Sequence, residues 1–296
     1  MENSLRARLA ALAEAAETKP LADEFRLRGA LIEILDHADV AAPELRLPGE
    51  YVRARLTAGT PLLDGIDLPV PASVNDLFER LTVAMLADPV ARDASEALLT
   101  AVRSHQLHPQ QLVGEAVVSH GDHLAALASA ADVSAPVLET LSDLASRPLL
   151  TSVAQRLRPA LGLAGWDRGW CPICGARPIF AEDTEQDVRL RCGRCTTAWA
   201  WTLPLCPDCH SGQLVALHTQ EIEGAGRWTV QGCNRCQSYL KVAGTSRSER
   251  LGLLLLDDLA TWSLDGAVLA AGYRRPSEAA RRLEHGDPGA EDDADD

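Results

Sequence analysis

Eight cysteines lie between Cys171 and Cys236, arranged as four Cys-x-x-Cys pairs: Cys171/Cys174, Cys192/Cys195, Cys206/Cys209 and Cys233/Cys236. The chain has no others. A Cys-x-x-Cys turn aims two sulfurs at one point, and two such turns supply the four thiolates of a tetrahedral site for Zn²⁺ or iron. Four turns therefore make two sites. Seventeen residues separate Cys174 from Cys192 and 23 separate Cys209 from Cys233, close to zinc-ribbon and rubredoxin spacing. Sequential pairing, with Cys171/Cys174 joined to Cys192/Cys195 and Cys206/Cys209 joined to Cys233/Cys236, gives each unit one short loop closure. A crossed pairing is the alternative. The residue types do not choose between zinc and iron, nor between a structural and a redox role.

The rest of the composition says where such sites would sit. No apolar run at the start is long enough for a signal core, and Leu251–Leu256 is far too short for a membrane span. A soluble cytoplasmic protein without a membrane partner is predicted. The cytosol keeps thiols reduced, which argues against four disulfides. Residues 1–165 carry 14 basic against 22 acidic side chains, residues 166–276 carry 12 of each, and residues 277–296 carry 2 against 8. A chain that grips phosphate backbones shows a basic face instead, so nucleic acid is not the expected partner.

The first half reads as helices. Leu5, Leu9, Leu12 and Ala16 recur at helical spacing over Ser4–Thr18, and Phe25, Leu27, Leu31, Ile34 and Leu35 do so over Leu21–Ala38. A turn-rich stretch runs from Gly59 through Pro71. Further helices are predicted over Val74–Leu86 with Ser73 as N-cap, from Pro89 to Ser104, and over Pro109–Val118, His120–Ala131 and Ala135–Arg158, with Pro148 kinking or breaking the last. Their apolar stripes must pack on one another.

From Gly162 the segments become short and alternating. Arg177–Ala181, Asp187–Arg191, Thr197–Leu203, Gln213–His218, Arg227–Gln231 and Tyr239–Val242 read as strands, with a cysteine pair at a strand end or turn each time. Five of the six tryptophans (Trp166, Trp170, Trp199, Trp201, Trp228) fall in this region. The predicted fold class is multidomain α+β. An all-helical domain (1–165) precedes two rubredoxin-like or zinc-ribbon β modules (166–204 and 205–248). A closing C-terminal helix (249–275) and a disordered acidic tail (276–296) follow. A module of about 40 residues cannot fold on an apolar core alone, so metal would supply much of its folding free energy.

Arg191, Arg194 and Arg235 lie beside the cysteines, where they could offset the charge of four thiolates. His105/His108 and His120/His123 are His-x-x-His pairs with no third ligand in an obvious place. No phosphate loop, dinucleotide glycine pattern, His-Glu-x-x-His or nucleophile elbow is present, so no catalytic residue is expected.

Cys171-Pro172-Ile173-Cys174-Gly175 matches a rubredoxin-type knuckle, while Cys206-Pro207-Asp208-Cys209 carries His210 where glycine would stand. Together with Gly59-Thr60-Pro61-Leu62-Leu63, Tyr239-Leu240-Lys241 and Asp257-Asp258-Leu259-Ala260-Thr261, the four cysteine turns resemble the formate dehydrogenase accessory proteins of the FdhE type. The clear resemblance covers about residues 166–273. It implies a cytoplasmic maturation factor, not an enzyme. Such a factor binds the immature formate dehydrogenase catalytic subunit and carries two metal ions, Zn²⁺ or Fe, on the eight cysteines. A nucleic-acid-binding zinc-ribbon protein and a rubredoxin-like iron electron carrier are the alternatives.

Overall fold

The computed structural model describes residues 2–118, 121–163, 165–184 and 186–275. The tail from Pro276 and His120 lie outside them. Eight α-helices come first: α1 Glu2–Glu14, α2 Lys19–Asp36, α3 Gly49–Thr57, α4 Ser73–Met85, α5 Arg92–Arg103, α6 Pro109–Val117, α7 Gly121–Ala130 and α8 Ala135–Leu157. Their buried faces (Leu5, Leu35, Phe78, Leu98, Leu112, Leu141, Leu149) merge into one core. Proline at the start of α2, α6 and α8 opens each helix where a missing N–H costs nothing.

Local signals mislead at four points. Ser73 does not cap α4: Ala72 occupies the N-cap with no side-chain bond, and Ser73 is the first helical residue. The fifth helix starts at Arg92, after a turn in which the Asp88 carboxylate accepts from the Val90 amide. α8 runs through Pro148, which is buried in the core. α3 was not predicted. It carries only two buried side chains, Val52 and Leu56, too few for a visible apolar stripe.

Six strands follow: β1 Pro178–Asp183, β2 Val188–Cys192, β3 Ala198–Ala200, β4 Leu214–Ile222, β5 Gly226–Cys233 and β6 Tyr239–Ala243. They form one sheet in the order β3-β2-β1-β6-β5-β4. All neighbours are antiparallel except β1 and β6, which pair in parallel through Ala181↔Val242 and Glu182↔Ala243. The two cysteine modules are thus joined edge to edge. Each follows the same plan: a cysteine knuckle, two strands, a second knuckle and a third strand. Both also carry a register irregularity in the first strand, at Pro178/Phe180 and at Ala216/His218. β6 lies inside the sheet, and all five of its residues are buried.

The closing helix divides into α9 Leu251–Ala260 and α10 Trp262–Ala270. Thr261 breaks it. Its hydroxyl donates to the Asp257 and Asp258 carbonyls, and its φ/ψ of −101°/15° is not helical. α9 packs on α2 at a close approach: a Cβ on Gly252 would stand 2.6 Å from the Asp36 side chain, which also holds Arg250. Among the described residues, no helix is long and apolar enough to cross a membrane.

A buried charge cluster locks β6 to these helices. The Lys241 ammonium, 1 % exposed, donates to the Asp258 carboxylate, to Thr261 Oγ1 at 2.8 Å and to Asp265 Oδ2 at 3.0 Å. Tyr239 donates to Asp265 Oδ1 at 2.6 Å, and Arg275 reaches Asp265 at 2.6 Å and Asp258 at 3.1 Å. Burial raises the Asp258 pKa, but Lys241 and Arg275 more than offset this and hold it below 3.8. Its stabilising contribution is therefore present above the unfolded value and is lost as pH falls through the lowered folded value. Removing one member of a buried ion pair typically costs about 3–5 kcal/mol. Lys241→Met is expected to lower the urea midpoint by a loss of that size. Arg8→Ala, which breaks a more exposed pair with Asp257, is expected to cost far less.

Candidate metal centres

Each Cys-x-x-Cys pair sits in the same backbone turn. The amide of the first cysteine donates to the carbonyl five residues on: Cys171 to Ala176, Cys192 to Thr197, Cys206 to Ser211 and Cys233 to Ser238, at 2.8–2.9 Å. The amide four residues on returns a bond to the first cysteine's carbonyl, from Gly175, Thr196, His210 and Gln237. That returning residue is left-handed in every case, with φ of 77°, 59°, 57° and 57°. Only Gly175 adopts this conformation without a steric penalty. Thr196 is held there by its surroundings. Its hydroxyl accepts from Arg158 at 2.6 Å and its carbonyl accepts from Arg191 at 3.0 Å.

The turns bring the sulfurs together as two groups, Cys171/Cys174/Cys192/Cys195 and Cys206/Cys209/Cys233/Cys236, each able to hold a metal ion. The Sγ···Sγ distances are 3.5 Å for Cys171–Cys195 and Cys174–Cys192, 3.7 Å for Cys206–Cys236 and 3.6 Å for Cys209–Cys233. A disulfide would need about 2.05 Å. Four sulfurs at about 2.3 Å from one ion lie about 3.8 Å apart, so both groups fit a tetrahedral ion with little movement.

Protons are unevenly held within each group. Burial pushes the Cys171 and Cys192 thiols well up. It acts on Cys195 too, but hydrogen bonds from its three sister thiols and Thr197 outweigh it and hold that sulfur well below its ordinary value. Burial likewise raises Cys206 and Cys236. At Cys233 burial is outweighed by the Ser211 hydroxyl and the Cys236 and Arg235 amides, which bring it to about 6. A binding cation would displace the protons that the thiols still hold.

The side chains of Arg191 and Arg194 do not shield the sulfurs as expected. Arg191 is buried against Glu182, with bonds of 2.9 and 2.7 Å, and Arg194 reaches away to Asp143 and the Ala116 carbonyl. Backbone amides approach sulfur instead, as those of Arg194 and Cys195 do at Cys192. His105 and His108 stack on each other at 6.4 Å, and His123 faces Glu115. Among the described residues, no histidine belongs to a cluster of three or more ligating side chains. His210 meets the edge of Trp201.

The two sites differ in setting. The first belongs to the main core, with Cys171, Cys192 and Cys195 fully buried. The helical half grips it directly: the Leu62 and Leu63 amides donate to the Pro172 and Ile173 carbonyls at 2.9 Å, within the first knuckle itself. The second forms a small satellite cluster with Leu214, and Cys209 and Cys236 are partly exposed.

An all-α domain clamped onto a duplicated two-site tetracysteine sheet defines the class of this protein. No family model matches the chain. The crystal structure of the FdhE protein from Pseudomonas aeruginosa has the same fold, with a TM-score of 0.56 over 93 % of each chain and 23 % identity. A protein FdhE homolog of Erwinia tasmaniensis is 25 % identical over 94 % of this chain and 88 % of its own. One from Aquifex aeolicus is 30 % identical over 105 residues, which is 34 % of this chain and 37 % of that relative's length. Along most of its length the chain is thus similar to proteins named FdhE.

A non-glycine residue in the left-handed region costs of order 1–3 kcal/mol. His210→Gly is therefore expected to raise the thermal midpoint of the metal-loaded protein, by about 1 kcal/mol after glycine's added chain entropy. Gly175→Ala is expected to lower it by a similar amount.

Proposed function

We propose that this chain is a cytoplasmic accessory factor for formate dehydrogenase maturation, without catalytic activity of its own. It binds the immature catalytic subunit through a surface that two metal ions, Zn²⁺ or Fe, hold in shape on the eight cysteines. The division of labour follows the chain: residues 1–165 form the supporting helical domain, 166–204 and 205–248 the two metal modules, and 249–275 the closing helices.

The observation that carries this reading is the contrast between the two sites. The first is buried and bonded to the helical domain, a position suited to holding the fold together. The second is at the surface. It adjoins β4, which pairs with β5 on one side only, and three exposed large apolar residues lie close to it in the chain: Leu205 precedes Cys206, and Val215 and Leu217 are on β4. Exposed apolar groups beside an open strand edge favour protein association. The same partial exposure suits an electron carrier, and iron content with reversible reduction would favour that second reading.

Cys192→Ser is expected to destabilise the whole protein, because it opens a site inside the main core. Cys233→Ser is expected to leave the helical domain folded, as judged by circular dichroism, while abolishing capture of the catalytic subunit in a pull-down. Capture that survives Cys233→Ser at wild-type yield, with full formate dehydrogenase activity in the cell, would refute the reading.

A further inference from the structure

A cleft between the helical domain and the first cysteine module has no role in the function proposed above. Its inner chamber, about 230 Å³, is bounded by α8, the start of β1, the Gly193–Arg194 turn, β6 and α9. Five cationic side chains line it, Arg147, Arg177, Arg194, Lys241 and Arg275, against one carboxylate, Asp258. Four of the five are largely buried, with side-chain exposures of 22 %, 4 %, 12 % and 1 % in that order.

Burial of so many cations needs compensation, and the compensating carboxylates stand behind the wall. Asp143 holds Arg147 and Arg194, each at 2.8 Å, Asp208 lies 3.5 Å from Arg177, and Asp265 holds Lys241 and Arg275. Burial raises the Asp143 pKa, but the two arginines more than offset this and keep it ionised. With Asp258 in the lining itself, these carboxylates balance most of the charge of the five cations, and Asp208 also pairs with Arg274. They also fix the donor groups in place before any ligand arrives, which lowers the cost of binding.

The chamber is not isolated. Arg147, Leu255, Asp258 and Arg275 also line an adjoining outer chamber of about 390 Å³. Its lining includes Leu31, Leu35, Leu144, Leu259 and Trp262, which is 40 % exposed, and also the carboxylates of Glu24, Asp88 and Asp265. A cationic pocket opening onto a chamber that is apolar along part of its lining matches a ligand with a charged end and an oily body. Converging guanidinium groups favour planar or tetrahedral oxyanions over halides, because they donate in fixed forks.

We propose that the cleft binds a small organic oxyanion, its charged group among the five cations and its apolar body against the lining leucines and Trp262. This does not depend on the accessory-factor reading. The fluorescent probe 8-anilinonaphthalene-1-sulfonate has the required shape, and N-phenyl-1-naphthylamine is nearly the same molecule without the charge. Titration uses the full-length, metal-loaded chain, so the field of the neighbouring thiolates is included. The sulfonate is expected to bind one per chain, at least about tenfold tighter than the uncharged probe, and to be displaced by inorganic phosphate. Arg275→Gln is expected to weaken the sulfonate by about tenfold and leave the uncharged probe unchanged. Trp262→Phe is expected to reduce energy transfer from tryptophan to the bound probe. It tests the location even if Arg275→Gln fails to fold. Equal affinity for the two probes, binding indifferent to phosphate, or energy transfer unchanged in Trp262→Phe would each overturn the proposal.

Discussion

The convergence of sulfurs is the constraint on which the second half of the molecule depends. Three-stranded units of about 40 residues cannot bury enough apolar surface to fix a sheet alone. Four copies of one turn place the thiols instead, each turn closed by two backbone bonds around its first cysteine. The strands leave these turns in set directions, and the two three-stranded units meet along β1 and β6. Three of the four turns hold a non-glycine residue in the left-handed region. The surrounding bonds therefore dictate the turn more strongly than local preference does, as Thr196 shows.

Buried charges interrupt the apolar core that runs through both halves. Lys241 on the fully buried strand β6 meets Asp258 and Asp265 on the closing helices, and Arg250 meets Asp36 on α2. Charged pairs of this kind add little net stability over apolar packing, but they tolerate few alternative geometries. They fix the angle at which the helices cover the sheet. The carboxylates that hold Lys241 and Arg275 also hold two of the five cations at the cleft, so the lock and the cleft share one set of charges.

Much of this was legible in the sequence, and the failures have physical causes. The cysteine spacing indicated two four-thiol groups in sequential order, and period-two alternation located all six strands within a few residues. The joining of the modules was not legible, because parallel pairing of β1 and β6 links residues about 60 positions apart. Neither was the break at Thr261, since the apolar pattern from Leu251 to Leu269 runs through it unchanged. Arg191 and Arg194 were misread for a related reason. Proximity along the chain says nothing of direction, and Arg194 turns outward to α6 and α8 while its amide remains near sulfur. Lys241 was visible as part of a motif, but only the tertiary structure shows that it is buried among carboxylates.

Duplication also explains how two sites with the same ligands come to differ. In each unit the first strand has an inner edge, toward the second strand, and an outer edge. In the first unit, β6 covers the outer edge of β1, and the helical domain covers the metal site. The second unit has no third copy to cover β4, and its cysteines form a satellite cluster apart from the main core. The opposite end of the sheet is closed off differently, since β3 is only three residues long and offers little to pair with. A tandem repeat that ends after two units therefore leaves one long open edge, with a metal site exposed beside it. The asymmetry needs no change in the ligands, only the finite length of the array.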